Sequence, residues 1–126
     1  MPSMLTNRQP RHPGGLRALN EIATAAGVGM VLEERAFPIP GPVEAACEML
    51  GLDPLYVANE GVLVALIAAD AAEQALEVMR AHPVGAEAVT IGRVVDDHPS
   101  LVVLETCIGG RRVVDMLPGD QLPRIC

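Results

Sequence analysis

The sequence contains no lysine and no tryptophan, and its only aromatic residues are Phe37 and Tyr56. The nine basic residues are therefore all arginines, scattered rather than striped, in a chain of formal net charge −7. Neutralising a phosphate backbone needs clustered positive charge, so nucleic acid is not expected as a partner. With so few aromatics, the interior must be aliphatic, built from Ala, Val, Leu and Ile. No apolar run approaches the roughly 20 residues that cross a bilayer, and the amino terminus lacks the charged-then-apolar pattern of a signal sequence. No membrane partner is expected, and a cytoplasmic location is. Cys47, Cys107 and Cys126 lie far apart with no Cys-x-x-Cys pair, which argues against a disulfide framework and a zinc site, so no metal is expected. His12, His82 and His98 are equally isolated and receive no role.

What is present is a chain of 126 residues, half of them hydrophobic, enough for one domain with a real core. Residues 1–13 hold three prolines and no hydrophobic period. They are expected to be a loose leader or foreign to the domain, with order beginning at Gly14. Leu16, Leu19, Ile22, Ala23 and Ala26 then recur at helical spacing, and Gly27 stands where a left-handed cap ends a helix. Val28 to Glu34 alternates as a strand until Phe37-Pro38-Ile39-Pro40 blocks continuation. Pro42 after Gly41 opens a second helix and Gly51 closes it. Its expected apolar face is Val43, Ala46, Cys47 and Leu50, which places Cys47 in the core.

Val62 to Ala68 is a continuous apolar run, predicted to be a strand covered on both faces. Asp70 and Glu73 have capping-box spacing for a third helix with an inward face of Ala72, Leu76 and Met79, ended by His82-Pro83. Val89 to Val95 predicts another strand. Leu101 to Ile108 and Arg111 to Met116 flank Gly109-Gly110 as a hairpin with a two-residue turn, in which Cys107 reads as structural. Interleaved helices and strands closing on a hairpin give the class α+β, a mixed, largely antiparallel sheet with packed helices, over residues 14–117.

Pro118, Gly119 and Pro123 act against both helix and strand, so residues 118–126 are expected to form a mobile tail ending in Cys126. The adjacent chain-end carboxylate disfavours the Cys126 thiolate and Arg124 favours it, so its reactivity depends on where the tail docks. Taken alone, a cysteine there is as readily an accident as a nucleophile. Glu60 is a carboxylate inside an otherwise apolar stretch, either a turn residue beside Gly61 or a group held for chemistry. Gly14-Gly15 at a helix start presents backbone N–H groups suited to an anion, though without the longer phosphate-loop pattern.

Three segments together carry a resemblance: Gly14-Gly15-Leu16 with Ala18-Leu19-Asn20-Glu21-Ile22-Ala23, Gly51-Leu52-Asp53-Pro54-Leu55-Tyr56-Val57-Ala58-Asn59-Glu60-Gly61, and Pro123-Arg124-Ile125-Cys126. In order and spacing they closely resemble the C-terminal domain of the HypE family, the carbamoyl dehydratases of nickel–iron hydrogenase maturation. That family is related to aminoimidazole ribonucleotide synthetase and selenophosphate synthetase, and the likeness covers about residues 14 to 126. It implies a fold like the C-terminal domain of aminoimidazole ribonucleotide synthetase. It also implies an N-terminal domain binding ATP and magnesium, which this sequence does not contain, so no ATP hydrolysis by this chain alone is expected.

The resemblance implies further that the carbamoyltransferase HypF loads a carbamoyl group onto Cys126, presented by Pro123, Arg124 and Ile125. ATP-dependent dehydration then yields a thiocyanate, and cyanide passes to iron on the HypC–HypD scaffold. Glu60, with Asn59 as an orienting neighbour, matches the family's Asn-Glu-Gly motif and suits the base such a dehydration needs. Gly14 and Gly15 match its glycine pair on the nucleotide side. Pro10-Arg11-His12-Pro13 stands where the family usually has Asp-Pro-Thr-Arg, so the phosphate or metal contacts of that stretch are not carried over. A domain built to pack on a missing partner should expose an apolar face and self-associate, so a homodimer is expected. The alternative is a non-catalytic dimerisation or scaffold-docking module that keeps the tail by descent.

Overall fold

The computed structural model of this chain describes residues 3–8, 16–53 and 62–114. Its first helix, α1 (Leu16–Ala26), buries Leu16, Leu19 and Ala23 of the predicted face, while Ile22 and Ala26, expected on the same face, are exposed. It stops at Gly27, whose φ of +65° only glycine adopts without strain. The chain then enters β2 (Gly29–Glu33), makes one 3-10 turn over Glu34–Ala36, and reaches α2 (Gly41–Leu50). Pro40 and Pro42 fix the entry to α2, and Gly51, at φ +66°, ends it.

The remaining elements are β3 (Val62–Ile67), a 3-10 turn leading into α3 (Ala72–Ala81), β4 (Val89–Val95), β5 (Val102–Glu105) and β6 (Arg111–Val113). With β1 (Ser3–Arg8) they form a six-stranded sheet in the order β3-β1-β4-β2-β5-β6. Four neighbouring pairs are antiparallel, and β2 with β5 is parallel. The expected α+β class with a mixed, largely antiparallel sheet holds.

The leader expected for residues 1–13 does not describe Ser3–Arg8, which is paired on both sides, with β3 and with β4. Three prolines suggested looseness, but Pro2, Pro10 and Pro13 all flank this strand, and its interior has every backbone donor the two ladders need.

The crossover from β1 through α1 to β2 skips one strand, as does that from β3 through α3 to β4, and both step in the same direction across the sheet. Since β1 and β3 run antiparallel, right-handed crossovers place α1 and α3 on opposite faces. The core agrees with this. Leu16, Leu19 and Ala23 meet Met30, Leu32, Ile91, Val94, Val102, Leu104 and Val114 in one cluster to which α3 contributes no residue. Ile91 and Val94, three apart, share that face because the register of β1 against β4 slips between Met4 and Leu5. Leu104→Ala is expected to lower unfolding stability by about 2–5 kcal/mol in a denaturant titration, since the residue is fully buried. A loss below about 1 kcal/mol would mean that the surrounding side chains collapse into the space.

Four further expectations are corrected. Val62–Ile67 is an edge strand, with Leu63 58% exposed, rather than a strand covered on both faces, because β1 occupies the interior position that its apolar run suggested. Of the predicted face of α2, Cys47 is buried as expected, but Ala46 is exposed and Leu50 is 72% exposed. The periodicity is real, but of that face only Cys47 is buried. Asp70 falls in the 3-10 turn, and the residue capping α3 is Ala71, with no side-chain bond, so the capping box does not form. The hairpin loop spans residues 106–110. Thr106 accepts from the Gly109 N–H, Gly109 takes φ +86°, and Cys107 and Ile108 occupy the turn, both exposed. The second glycine does not form the turn with the first, because Thr106 closes the loop through its backbone and its hydroxyl to Gly110.

Candidate functional site

The residues singled out from sequence, Gly14, Gly15, Asn59, Glu60, Pro123, Arg124, Ile125 and Cys126, lie outside the described residues. The structure does describe the points from which their segments leave the body. Arg8, the last residue of β1, is paired with Val62, the first of β3. The segment that carries Gly14-Gly15 therefore leaves the sheet beside the point where the segment carrying Asn59-Glu60 rejoins it. Leu16, directly after the glycine pair, is buried in the core and fixes the start of α1.

The opposite flank of the Glu60 segment is Asp53. After the Gly51 cap, the Leu52 N–H donates to the Cys47 carbonyl at 2.8 Å, which sets the direction in which the chain leaves α2. Asp53 Oδ2 then accepts from Arg112 Nη2 at 2.7 Å. Arg112 belongs to β6, two residues before Val114, whose N–H donates to the Val102 carbonyl at 2.8 Å and whose side chain is buried. Val114 is also the last described residue before the segment that ends in Cys126. The root of the Glu60 segment and the root of the cysteine-bearing segment are thus tied by one charge-assisted hydrogen bond.

Two further clusters were not anticipated from sequence. Arg93 Nη2 and Arg111 Nη2 both approach Glu105 Oε1, at 3.6 and 3.1 Å, in a ladder across β4, β5 and β6. Strand alternation brings them to the sheet face opposite α1, since Arg93 pairs with Val31 and Arg111 with Glu105. Glu34 Oε2 accepts from the Cys107 N–H at 2.8 Å and Arg35 donates to the Cys107 carbonyl, so both backbone groups of that turn residue are held by side chains from the 3-10 turn after β2. Neither cluster has a local sequence signature. The partners of the second are 72 and 73 residues apart, and only pairing of β2 with β5 brings them together. Among the described residues no group of three His, Cys, Asp or Glu side chains could hold a metal, and no helix is long and apolar enough to cross a membrane.

Comparison with known proteins matches residues 12–104 to the family described as AIR synthase related protein, C-terminal domain. Over all 126 residues the chain is 56% identical to carbamoyl dehydratase HypE of Azotobacter vinelandii, of which it spans 37%. That alignment takes in residues 1–13, so the expectation that they are foreign to the domain is not supported. A solved structure of hydrogenase maturation protein HypE in complex with ATP superposes with a TM-score of 0.82 at 41% identity, over 97% of this chain and 37% of that one. A HypE–HypF complex superposes with a TM-score of 0.75 at 40% identity, over 88% of this chain and 35% of that one.

Proposed function

We propose, from the premise that this chain belongs to the AIR synthase related family as its C-terminal domain, that it is the carrier domain of a carbamoyl dehydratase of nickel–iron hydrogenase maturation. The observation that carries this reading is the 56% identity to carbamoyl dehydratase HypE over all 126 residues. Because the chain spans 37% of that relative, ATP and magnesium are taken to be bound by the portion it does not include, and no described residue is assigned to them.

In this reading the Cys126 thiolate takes a carbamoyl group from the carbamoyltransferase HypF and holds it as a thioester-like thiocarbamate. A HypE–HypF complex among the structural relatives supports that partner. ATP supplies the phosphoryl group that turns the carbamoyl oxygen into a leaving group. Phosphorylation of that oxygen releases the first N–H proton, Glu60, oriented by Asn59, takes the second as phosphate departs, and the carbon is left triple-bonded to nitrogen as a thiocyanate. Cleaving the S–C bond to release cyanide returns the thiolate and consumes two electrons, supplied by the iron complex on HypC–HypD that receives the ligand. Pro123, Arg124 and Ile125 present the thiol on an extended arm. Gly14 and Gly15 face the nucleotide phosphates through backbone N–H groups. The protein works in the cytoplasm as a homodimer.

The arm has the reach this requires. Cys126 lies twelve residues beyond Val114, and at about 3.3 Å per residue that length of chain spans at most about 40 Å. The sheet from β6 to β3 is only about 24 Å wide, five strand spacings of about 4.8 Å.

The test is to incubate the chain with the carbamoyltransferase, carbamoyl phosphate and ATP and to weigh it. A gain equal to one carbamoyl group, absent in Cys126→Ala, is expected. No gain would instead favour the second reading, a dimerisation or scaffold-docking module. The observation behind that reading is the apolar end of α2, where Met49 is 88% exposed beside Leu50.

A further inference from the structure

The two ends of the described sheet are built differently. At one end β6 is three residues long and carries Arg111 and Arg112, which bind Glu105 and Asp53. A short, charged strand is how a sheet edge is kept from pairing with another chain. At the other end β3 runs for six residues, and from Val62 to Ala69 there is neither a charge nor a proline. Nothing in that sequence discourages a further strand.

Both faces of the β3 edge are apolar. Val64 packs against the core cluster on the α1 side, so Leu66, two residues on, shares that face, while Leu63 lies on the α3 side. Both leucines are exposed. The helix extends this surface. α3 packs on β1, the neighbour of β3, and Arg80 Nε donates to the carbonyl of Ala88, the residue before β4, at 2.9 Å. That bond turns the Arg80 flank of α3 toward β4. Glu73 and Glu77, seven and three positions earlier, share the same flank. Val78 lies about 160° around the helix from Arg80, on the flank turned to β3, and is 68% exposed.

Charge selects the occupant. The chain has formal net charge −7, so two copies repel over most of their surface. At β3 they can approach without opposing carboxylates, since the strand is uncharged and Glu73 and Glu77 stand on the far flank of α3. A two-fold axis perpendicular to the sheet sets two β3 strands antiparallel and keeps each face on its own side. Leu63 and Val78 of the two copies are then covered between facing α3 helices, and Leu66 is covered on the opposite face. Such a contact is self-complementary and closes at two copies.

We infer that the β3 edge is the surface on which two copies of this chain associate, pairing β3 with β3 into one continuous sheet. The inference rests on the homodimer reading and is independent of the chemistry at Cys126. About ten residues a side take part, against roughly 20–30 in a stable interface, so half-association is expected at about 10–100 µM.

The test is sedimentation of the chain from well below to well above that range, as wild type, Val78→Glu, Leu63→Lys and Met49→Glu. Amide hydrogen exchange of β3 and the melting temperature of the diluted protein are measured alongside. Wild type is expected to reach twice the monomer mass, with exchange slowing across residues 62–67 as concentration rises. Val78→Glu and Leu63→Lys should each raise the half-association concentration by about tenfold or more, the effect of a charge buried without a partner. Val78→Glu should melt near the wild type when diluted, since the position is exposed and glutamate is a good helix former. Met49→Glu, on the exposed end of α2, should change nothing. A wild type that stays monomeric throughout overturns this inference together with the homodimer reading. A dimer unmoved by Val78→Glu and Leu63→Lys overturns the β3 surface alone, and its loss in Met49→Glu would put the contact on α2. In the chain joined to the ATP-binding portion of its relatives, residues 62–67 might instead be covered by that portion. Exchange there slower than in the isolated chain, at a dilution where both are monomeric, would give the edge to that portion and overturn the pairing.

Discussion

Gly92→Ala is expected to cost this domain about 3–5 kcal/mol of unfolding free energy, enough to leave much of it unfolded at physiological temperature. Gly92 is paired on both sides, with Met4 of β1 and Leu32 of β2, in the interior of the sheet. A Cβ there would overlap the Val31 carbonyl oxygen and lie 3.0 Å from Leu32 Cα. Both obstructions are backbone, so no rotamer relieves them. To make room, β2 would have to move away from β4, breaking the ladder that also sets Met30 and Leu32 into the core. The close approach follows from the register slip in β4, and it is space rather than φ that requires glycine here. Gly41→Ala is the matched control, because a Cβ at Gly41 meets nothing within 4 Å. It should be neutral or stabilising by up to about 1 kcal/mol, since it reduces the freedom of the unfolded chain. Urea titration of both variants with unchanged slope decides the matter. A Gly92→Ala protein within about 1 kcal/mol of wild type would show that the slip relaxes without breaking the ladder.

Glu60→Gln, in the chain joined to an ATP-binding portion, is expected to leave Cys126 loadable and to slow thiocyanate formation by about 10²–10⁴-fold, the range for losing a positioned base. Glutamine keeps the size and hydrogen-bonding reach of the side chain and removes its ability to take a proton. Loading requires only the thiol, so it is unaffected. The discriminating measurement is single-turnover conversion of pre-loaded protein, followed by mass. Conversion at the wild-type rate would falsify the role of Glu60 as base, and a simultaneous loss of loading would point to a structural role instead.

How much of this was legible in the sequence depends on the range over which each feature is decided. Gly27 and Gly51 end their helices at φ +65° and +66°, as read from the chain, because a left-handed cap is settled by one residue lacking a Cβ. Val89–Val95 was also legible, since its β-branched residues between turn residues are a local signal. The placement of β1 was not. Its six residues carry no strong period, and what makes them a central strand is the pair of ladders offered by β3 and β4, which come more than 50 residues later. Position in the sheet also reversed the reading of β3, whose unbroken apolar run sits at an edge.

For the site, the chemistry-bearing types and their order were visible in the sequence: a thiol beyond Pro123, a carboxylate between Asn59 and Gly61, a glycine pair before a helix. Those are properties of short segments, and short segments suffice to support a family. The contacts at the roots of their segments were not visible. Asp53 stands in a recognisable turn and Arg112 in a pair of arginines, yet they are 59 positions apart. The sequence by itself therefore determined the helix caps at Gly27 and Gly51, the α+β class and the identity of the candidate reactive groups. Only the tertiary structure decided that β1 is interior, that α2 leaves its end exposed, and that the roots of the Glu60 and Cys126 segments meet at one hydrogen bond. The physical reason is that strand order and side-chain pairing across a sheet are set by contacts between distant parts of the chain, each of which leaves no local trace.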